Sequence, residues 1–448
     1  MLRNQVFAGV LTLALTGPAA VSAQVDTGSA DFSNYVAIGD SLTAGFASGG
    51  LTRTYQINSY PALIYRQATG RSTGFEQPLV SDPGIPGLLQ LRSLAPLQIT
   101  PAAGRGNPLN LNLQRPYNNL AVPGADVHDV VATVTDNGGL HDLILRGLGT
   151  QLQQALVQRP TFVTIWVGNN DVLGAATSGR VIEDVTLTSV ARFEADFLAI
   201  VNAVAATGAE MAIANIPSVT SIPYVTTLPA VVVNPATNQP VLVNGNVVPL
   251  IGPNGQLRPG QDFVLLPASA ELAQGRGIPA QLGGSGQPLS DAAVLSAEEV
   301  AAINARVQAF NSIIRAAAQA TNSAFVDTNA LLNELAVEGI NIGGVSFSET
   351  FLTGGVFSYD GVHPTDTGYA MVANEFIEAI NDRFNADIPP VNLYPFLFGP
   401  TAAPIPGAAG STADLVFTKA ATRNLLWALG VPRSVTTVNK PQVARPVH

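Results

Sequence analysis

The chain has 448 residues, 47% of them hydrophobic and 12% charged, with a formal net charge of −10. That length suffices for one large domain or two ordinary ones with a sizeable core. The acidic balance, with lysine only at Lys419 and Lys440 and no basic run, argues against a nucleic-acid-binding surface or an anionic membrane face. No cysteine is present, which excludes disulfides and a lipid anchor on an N-terminal cysteine.

The first 23 residues read as a secretory leader. Arg3 supplies a positive start, Val6 to Leu15 is a short apolar stretch, and Val21-Ser22-Ala23 has the small-residue spacing of a cleavage site. The stretch is too short for a membrane span. The pattern predicts cleavage after Ala23 and a soluble mature protein that is periplasmic or extracellular.

Apolar runs at Tyr35 to Ile38, Thr161 to Val167, Glu210 to Ile216 and Ser323 to Asp327 predict buried parallel strands, with Asn119 to Val122 a weaker candidate. Between them, Val190, Phe193, Phe197, Ile200 and Val204 recur at helical spacing. Val300, Ile303, Val307, Phe310 and Ile314 do the same, after the capping-box pattern Ser296-Ala297-Glu298-Glu299. Pro364 suits a first helical position, and Tyr369, Val372, Phe376 and Ile380 follow on one stripe. Strands alternating with helices predict an α/β fold with a central parallel sheet and helices on both faces.

Two regions break this rhythm. Pro223 to about Leu295 is rich in Val, Pro, Gly and Asn, with β-like pieces such as Val241-Leu242-Val243 before the turn Asn244-Gly245. It reads as an irregular β-rich insertion, a hairpin or a lid. Beyond Pro389 the chain turns Pro/Gly/Ala-rich and ends in a tail holding Leu425, Leu426 and Trp427. That tail either packs on the domain or meets a partner.

The chemistry-bearing segments sit at predicted element ends. Gly39-Asp40-Ser41-Leu42-Thr43 follows the first strand, and a serine at a strand-to-helix turn is well placed as a nucleophile, although Gly-Asp-Ser is also ordinary turn chemistry. Asn119-Leu120-Ala121-Val122-Pro123-Gly124-Ala125 offers a glycine whose backbone N–H can approach a substrate closely. Gly168-Asn169-Asn170-Asp171 follows the strand ending at Val167 and offers a side-chain amide of the kind that stabilises an oxyanion. In Asp360-Gly361-Val362-His363-Pro364 the carboxylate can turn back onto the imidazole Nδ1–H, or simply cap the last helix.

In order and placement, these four segments together resemble the GDSL/SGNH hydrolase family. The match runs from Gly39 to His363. The resemblance implies a three-layer α/β/α sandwich of flavodoxin-like type over 34–388, with the insertion at about 223–295 and an extension over 389–448. It implies an exported ester hydrolase of lipase or esterase type that uses no cofactor and no metal. Ser41 is then the nucleophile, His363 the general base and acid, and Asp360 its orienting partner. The Ser41 and Gly124 N–H groups and the Asn170 amide form the oxyanion hole. Asp40 organises the turn and Asp171 positions Asn170. The substrate is a small-molecule or lipid ester, and Ile85, Leu88, Leu89 and Leu94 are candidates for an acyl pocket.

The alternatives are removal of acetyl groups from polysaccharide, transfer of an acyl group to an acceptor other than water, and a non-catalytic surface binding protein on the same fold. Aromatic content of 6%, with Trp166 and Trp427 the only tryptophans, weighs against a sugar-stacking site. Ser41 lies in Gly39-Asp40-Ser41-Leu42-Thr43 and not in Gly-x-Ser-x-Gly, which sets aside the α/β-hydrolase pattern for this serine. Gly275 to Ala280 fits a dinucleotide pattern in form but follows no convincing strand. His128, near Asp126 and Asp129, and His141, beside Asp142, read as solvated residues rather than a cation site.

Overall fold

Strands buried on both faces build the centre of this protein, whose computed structural model describes residues 25–94, 97–397 and 415–436. The predicted leader lies outside the described residues. The elements that position the site are β1 (Tyr35–Gly39), α1 (Ser41–Ala44), α2 (Tyr60–Thr69), the hairpin of β2 (Leu89–Leu94) and β3 (Leu97–Pro101), and α3 (Val127–Ala132). They continue with β4 (Phe162–Trp166), α4 (Asn170–Ser178), α5 (Val190–Ala205), β5 (Glu210–Ala214), α6 (Ala297–Ala320), β6 (Ala324–Val326) and α7 (Asp366–Phe384). After them come β7 (Val416–Phe417) and α8 (Lys419–Ala428).

The strands β1, β4, β5 and β6 pair in parallel in that order. Successive side chains point to opposite faces, so each strand feeds two layers. Val36, Ile38, Val163, Ile165, Met211 and Ile213 pack on one face with Phe193 and Phe197 of α5 and Phe310 of α6. Tyr35, Phe162, Trp166, Ala212, Ala214 and Val326 pack on the other with residues of α2 and with Phe376 and Ile380 of α7. Covering both faces with helices is what a parallel sheet requires, and the result is a three-layer α/β/α arrangement.

Asn119 to Val122 is not a regular strand. It makes one isolated bridge, Ala37 to Asn119, because the Asn119 side chain bonds the Ala121 N–H and the Thr43 carbonyl and so competes with a ladder. The segment still runs along the free edge of β1, with Leu120 N–H donating to Ala37 O and Val122 N–H to Gly39 O. Counted with the strands, the spatial order is second, first, third, fourth, fifth. The chain therefore reverses its direction of travel at β1, and such a switch point opens a crevice at the carboxyl ends of the strands.

The capping box of α6 is present, with Ser296 and Glu299 reciprocally bonded. The last sheet-packing helix begins at Asp366 rather than Pro364, because the Thr365 hydroxyl takes the Gly368 N–H as N-cap. Pro364 instead lies in an isolated bridge with Phe357.

Residues 223–295 hold short antiparallel pairs, among them Leu242–Val243 with Asn246–Val247 around the Asn244-Gly245 turn. This segment has its own small core, including Leu228, Leu250, Val264 and Val294. Near the C-terminus, β7 adds in parallel to β3, and Phe417, Ala421 and Leu425 are fully buried. Among the described residues no helix is long and apolar enough to cross a membrane.

The Phe193 and Phe310 rings stack at 3.8 Å with 9° between their planes, both fully buried. Phe310→Ala should cost about 3–5 kcal/mol of unfolding free energy in urea titrations. A loss under about 1 kcal/mol would show that this layer does not hold the sheet.

Candidate functional site

Gly39 ends β1 where no side chain fits: a Cβ there would stand 2.1 Å from Thr43 Oγ1 and 2.5 Å from Trp166 O. The strand can therefore turn sharply into α1. Asp40 caps that helix, its carboxylate accepting the Leu42 N–H at 3.0 Å, and Ser41 becomes the first helical residue. As such its N–H has no acceptor within the helix.

Ser41 Oγ lies 2.8 Å from His363 Nε2, and His363 Nδ1 lies 2.9 Å from Asp360 Oδ2. The three side chains are 2%, 1% and 0% exposed. Asp360 accepts four further bonds. Val362 N–H, His363 N–H and the Ser358 hydroxyl reach Oδ1 at 2.9, 2.8 and 3.2 Å, and Gly49 N–H reaches Oδ2 at 2.8 Å. Burial alone would push this carboxyl up, but the His363 charge and these donors outweigh it and hold it below the usual carboxylate range. An ionised acceptor at Nδ1 keeps the imidazole proton there and leaves Nε2 free to accept from Ser41. Phe46 packs its ring 4.7 Å from the imidazole, and Tyr369 Oη of α7 pins the Phe46 carbonyl at 2.6 Å.

Three successive residues after β4 each hold a different piece of the site. Asn169 Nδ2 donates to Asp40 Oδ2 at 2.7 Å, Asn170 Nδ2 to Ala125 O at 2.9 Å, and Asp171 Oδ2 accepts Val127 N–H at 3.0 Å. Asp171 thus steadies the turn beside Gly124 instead of bonding Asn170 directly. Asn170 spends one amide N–H on Ala125 and keeps the other. Gly124 has φ +88°, and a Cβ there would meet Ala428 O at 2.7 Å. Both Gly124 and Asn170 line a cavity of about 1120 Å³, whereas Ser41 and His363 are not among its lining residues.

Ser41, Asp360 and His363 are thus brought into direct contact, and Gly124 and Asn170 meet at the cavity beside Ala125. The proposed acyl-pocket residues are elsewhere. Ile85 and Leu89 are buried in two packed clusters, and neither they nor Leu88 line the cavity. The Leu94 side chain lies outside the described ones. Their apolar spacing reflects core packing around the β2–β3 hairpin. His128 bonds Asp196 at 3.0 Å and His141 bonds Asp136 at 3.2 Å. Among the described residues no group of three or more His, Asp or Glu side chains could hold a metal ion. Asn169, Ser358, Gly49 and Phe46 were not singled out from the sequence. Asn169 sits inside a quoted motif, but Gly49 reaches Asp360 across 311 positions, which no local pattern signals.

The family model described as GDSL-like Lipase/Acylhydrolase matches residues 35–376. Among solved structures, a variant of an acetylxylan esterase from Geobacillus stearothermophilus is similar at 13% identity and TM-score 0.36, covering 77% of this chain and 93% of that one. The lipase/acylhydrolase from Enterococcus faecalis is similar at 12% identity and TM-score 0.32, covering 80% and 100%. An extracellular lipase from Streptomyces rimosus is similar at 15% identity and TM-score 0.32, covering 78% and 98%. No curated protein matches the chain by sequence.

Burial raises the Asp40 carboxyl from 3.8 to about 6, against the opposing pull of Asn169, Leu42 N–H and His363. The folded state therefore holds the Asp40 proton to higher pH than the unfolded chain. Stability from this group is present at low pH and is lost as pH rises from about 4 through 6, by up to about 3 kcal/mol. The depressed Asp360 works the other way, losing stability as pH falls below about 4. In urea titrations from pH 4 to 7, Asp40→Asn should flatten the decline seen in the wild type. An identical slope in the two proteins would place the proton elsewhere.

Proposed function

The chain belongs to the GDSL-like lipase/acylhydrolase family, and we propose that it hydrolyses carboxylic esters through an acyl-enzyme on Ser41. The observation that carries this reading is the buried contact series from Ser41 Oγ through His363 to Asp360, at 2.8 and 2.9 Å. Ser41 passes its proton to His363 Nε2 as Oγ attacks the ester carbonyl. The Asp360 carboxylate stabilises the imidazolium. The oxyanion takes hydrogen bonds from the Ser41 and Gly124 N–H groups and from the second Asn170 amide N–H, each worth about 3 kcal/mol in the transition state. His363 returns the proton to the leaving alcohol. Water then attacks the acyl-enzyme with His363 as base, releasing the acid and restoring Ser41.

Lipid or aryl acyl esters lead as substrates. A second reading, removal of acetyl groups from polysaccharide, draws on Trp427, a 42% exposed indole on the cavity wall that could stack on a sugar ring. The leader pattern over residues 1–23 supports action outside the cytoplasm.

A p-nitrophenyl ester series from acetyl to long acyl chains tests the reaction. Ser41→Ala should lower kcat/KM roughly ten-thousand-fold or more, and Asp360→Asn comparably through the wrong imidazole tautomer. Full activity in a folded Ser41→Ala protein would overturn the mechanism. Inactivity of the folded wild type on every ester, acetylated glycan included, would favour a binding role.

A further inference from the structure

Residues 415–436 of the C-terminal extension pack on the domain. They pair through β7 with β3, bury Phe417, Ala421 and Leu425 completely, and donate the Phe417 N–H to the Ser269 hydroxyl at 2.8 Å. Residues 428–430 then lie against Gly124. Ala428 packs in one cluster with Phe46, Val122 and Ala125. The turn after α8 sits on Gly124, so that a Cβ on that glycine would meet Ala428 O at 2.7 Å and Gly430 N at 3.0 Å. One residue group of this cluster, Phe46, touches the His363 ring, and another flanks Gly124. The extension is thus built against both halves of the proposed machinery.

The cavity of about 1120 Å³ beside Gly124 and Asn170 is closed on this side by Leu426, Trp427 and Leu429 of the extension. Asp126, Asp129 and Asp136 also line it. Residues 415–448 hold five basic and no acidic residues in a chain of net charge −10, and Lys419 and Arg423 are on the cavity wall. The cavity exceeds the roughly 300–1,000 Å³ of ordinary small-molecule sites, which leaves room for a chain as well as a head group.

We propose that this cavity is the binding site for the ester and that Leu426, Trp427 and Leu429 are its specificity-determining wall, selecting esters with an extended apolar chain. Leu426 and Leu429 flank Trp427 on this wall and give a hydrocarbon chain an apolar surface to lie against. Ser41 is 2% exposed, so the site must open for the ester to reach the nucleophile. The proposal rests on the ester-hydrolase reading, and its test separates the two.

Trp166 is 2% and Trp427 42% exposed, so indole emission that responds to a cavity ligand comes from Trp427. Ser41→Ala protein, which cannot turn the ester over, is titrated with methyl octanoate, methyl acetate and glucose pentaacetate. Methyl octanoate should give a saturable emission change that the Ser41→Ala/Trp427→Phe protein lacks, and the other two should give none at equal concentration. In the otherwise native protein, Trp427→Ala should lower the octanoyl-to-acetyl ratio of kcat/KM roughly tenfold. Absence of an emission change, persistence of it without Trp427, or an unaltered ratio would overturn the proposal. Saturation by glucose pentaacetate alone would overturn it in favour of the glycan. An emission change in a protein whose wild type hydrolyses no ester would leave the binding site standing and sink the hydrolase reading alone.

Discussion

The Asp360 carboxylate is the interaction on which the rest of the site depends. It is wholly buried, and it stays ionised because it accepts five hydrogen bonds from two separate pieces of chain. A buried charge without such partners would cost several kcal/mol. Here the same bonds that offset desolvation also fix geometry. They close the Ser358–His363 turn on itself, fasten it to Gly49 after the first strand, and set the imidazole tautomer that faces Ser41. Stability and chemistry are therefore not separable at this residue.

The sheet makes those meetings possible. With residues 118–122 lying on one edge of β1 and β4 on the other, the turns after both flank the turn that holds Ser41. The Asn169-Asn170-Asp171 run then works as a three-toothed clasp on Asp40, Ala125 and Val127. Asp40 takes the opposite solution to Asp360. It is equally buried but has fewer donors, and burial drives its carboxyl up to about 6. Two aspartates in one site thus respond to pH in opposite directions because one is saturated with donors and the other is not.

Much of this was legible in the sequence, for physical reasons. Strands buried on both faces must be apolar throughout, so Phe162–Trp166 and Glu210–Ala214 announced themselves. Helix stripes on α5 and α6 did the same, and Asp360 and His363 are close enough in the chain for their contact to be read from spacing. What was not legible depends on distance along the chain. The Gly49 donor to Asp360, the displacement of Ile85 and Leu89 into packed clusters, and the seating of the 428–430 turn on Gly124 all join segments far apart. The start of α7 was missed by two residues because a threonine hydroxyl outcompetes the preceding proline as the start signal.

The central claim is that Ser41 is a nucleophile made reactive by His363 and Asp360. It is tested most directly by treating the folded protein with a fluorophosphonate and locating the adduct by peptide mass analysis. The account predicts one stoichiometric adduct on Ser41, formed slowly or not at all when His363 is replaced by Ala. An adduct on another residue, or none on Ser41 in protein shown to be folded, would contradict it.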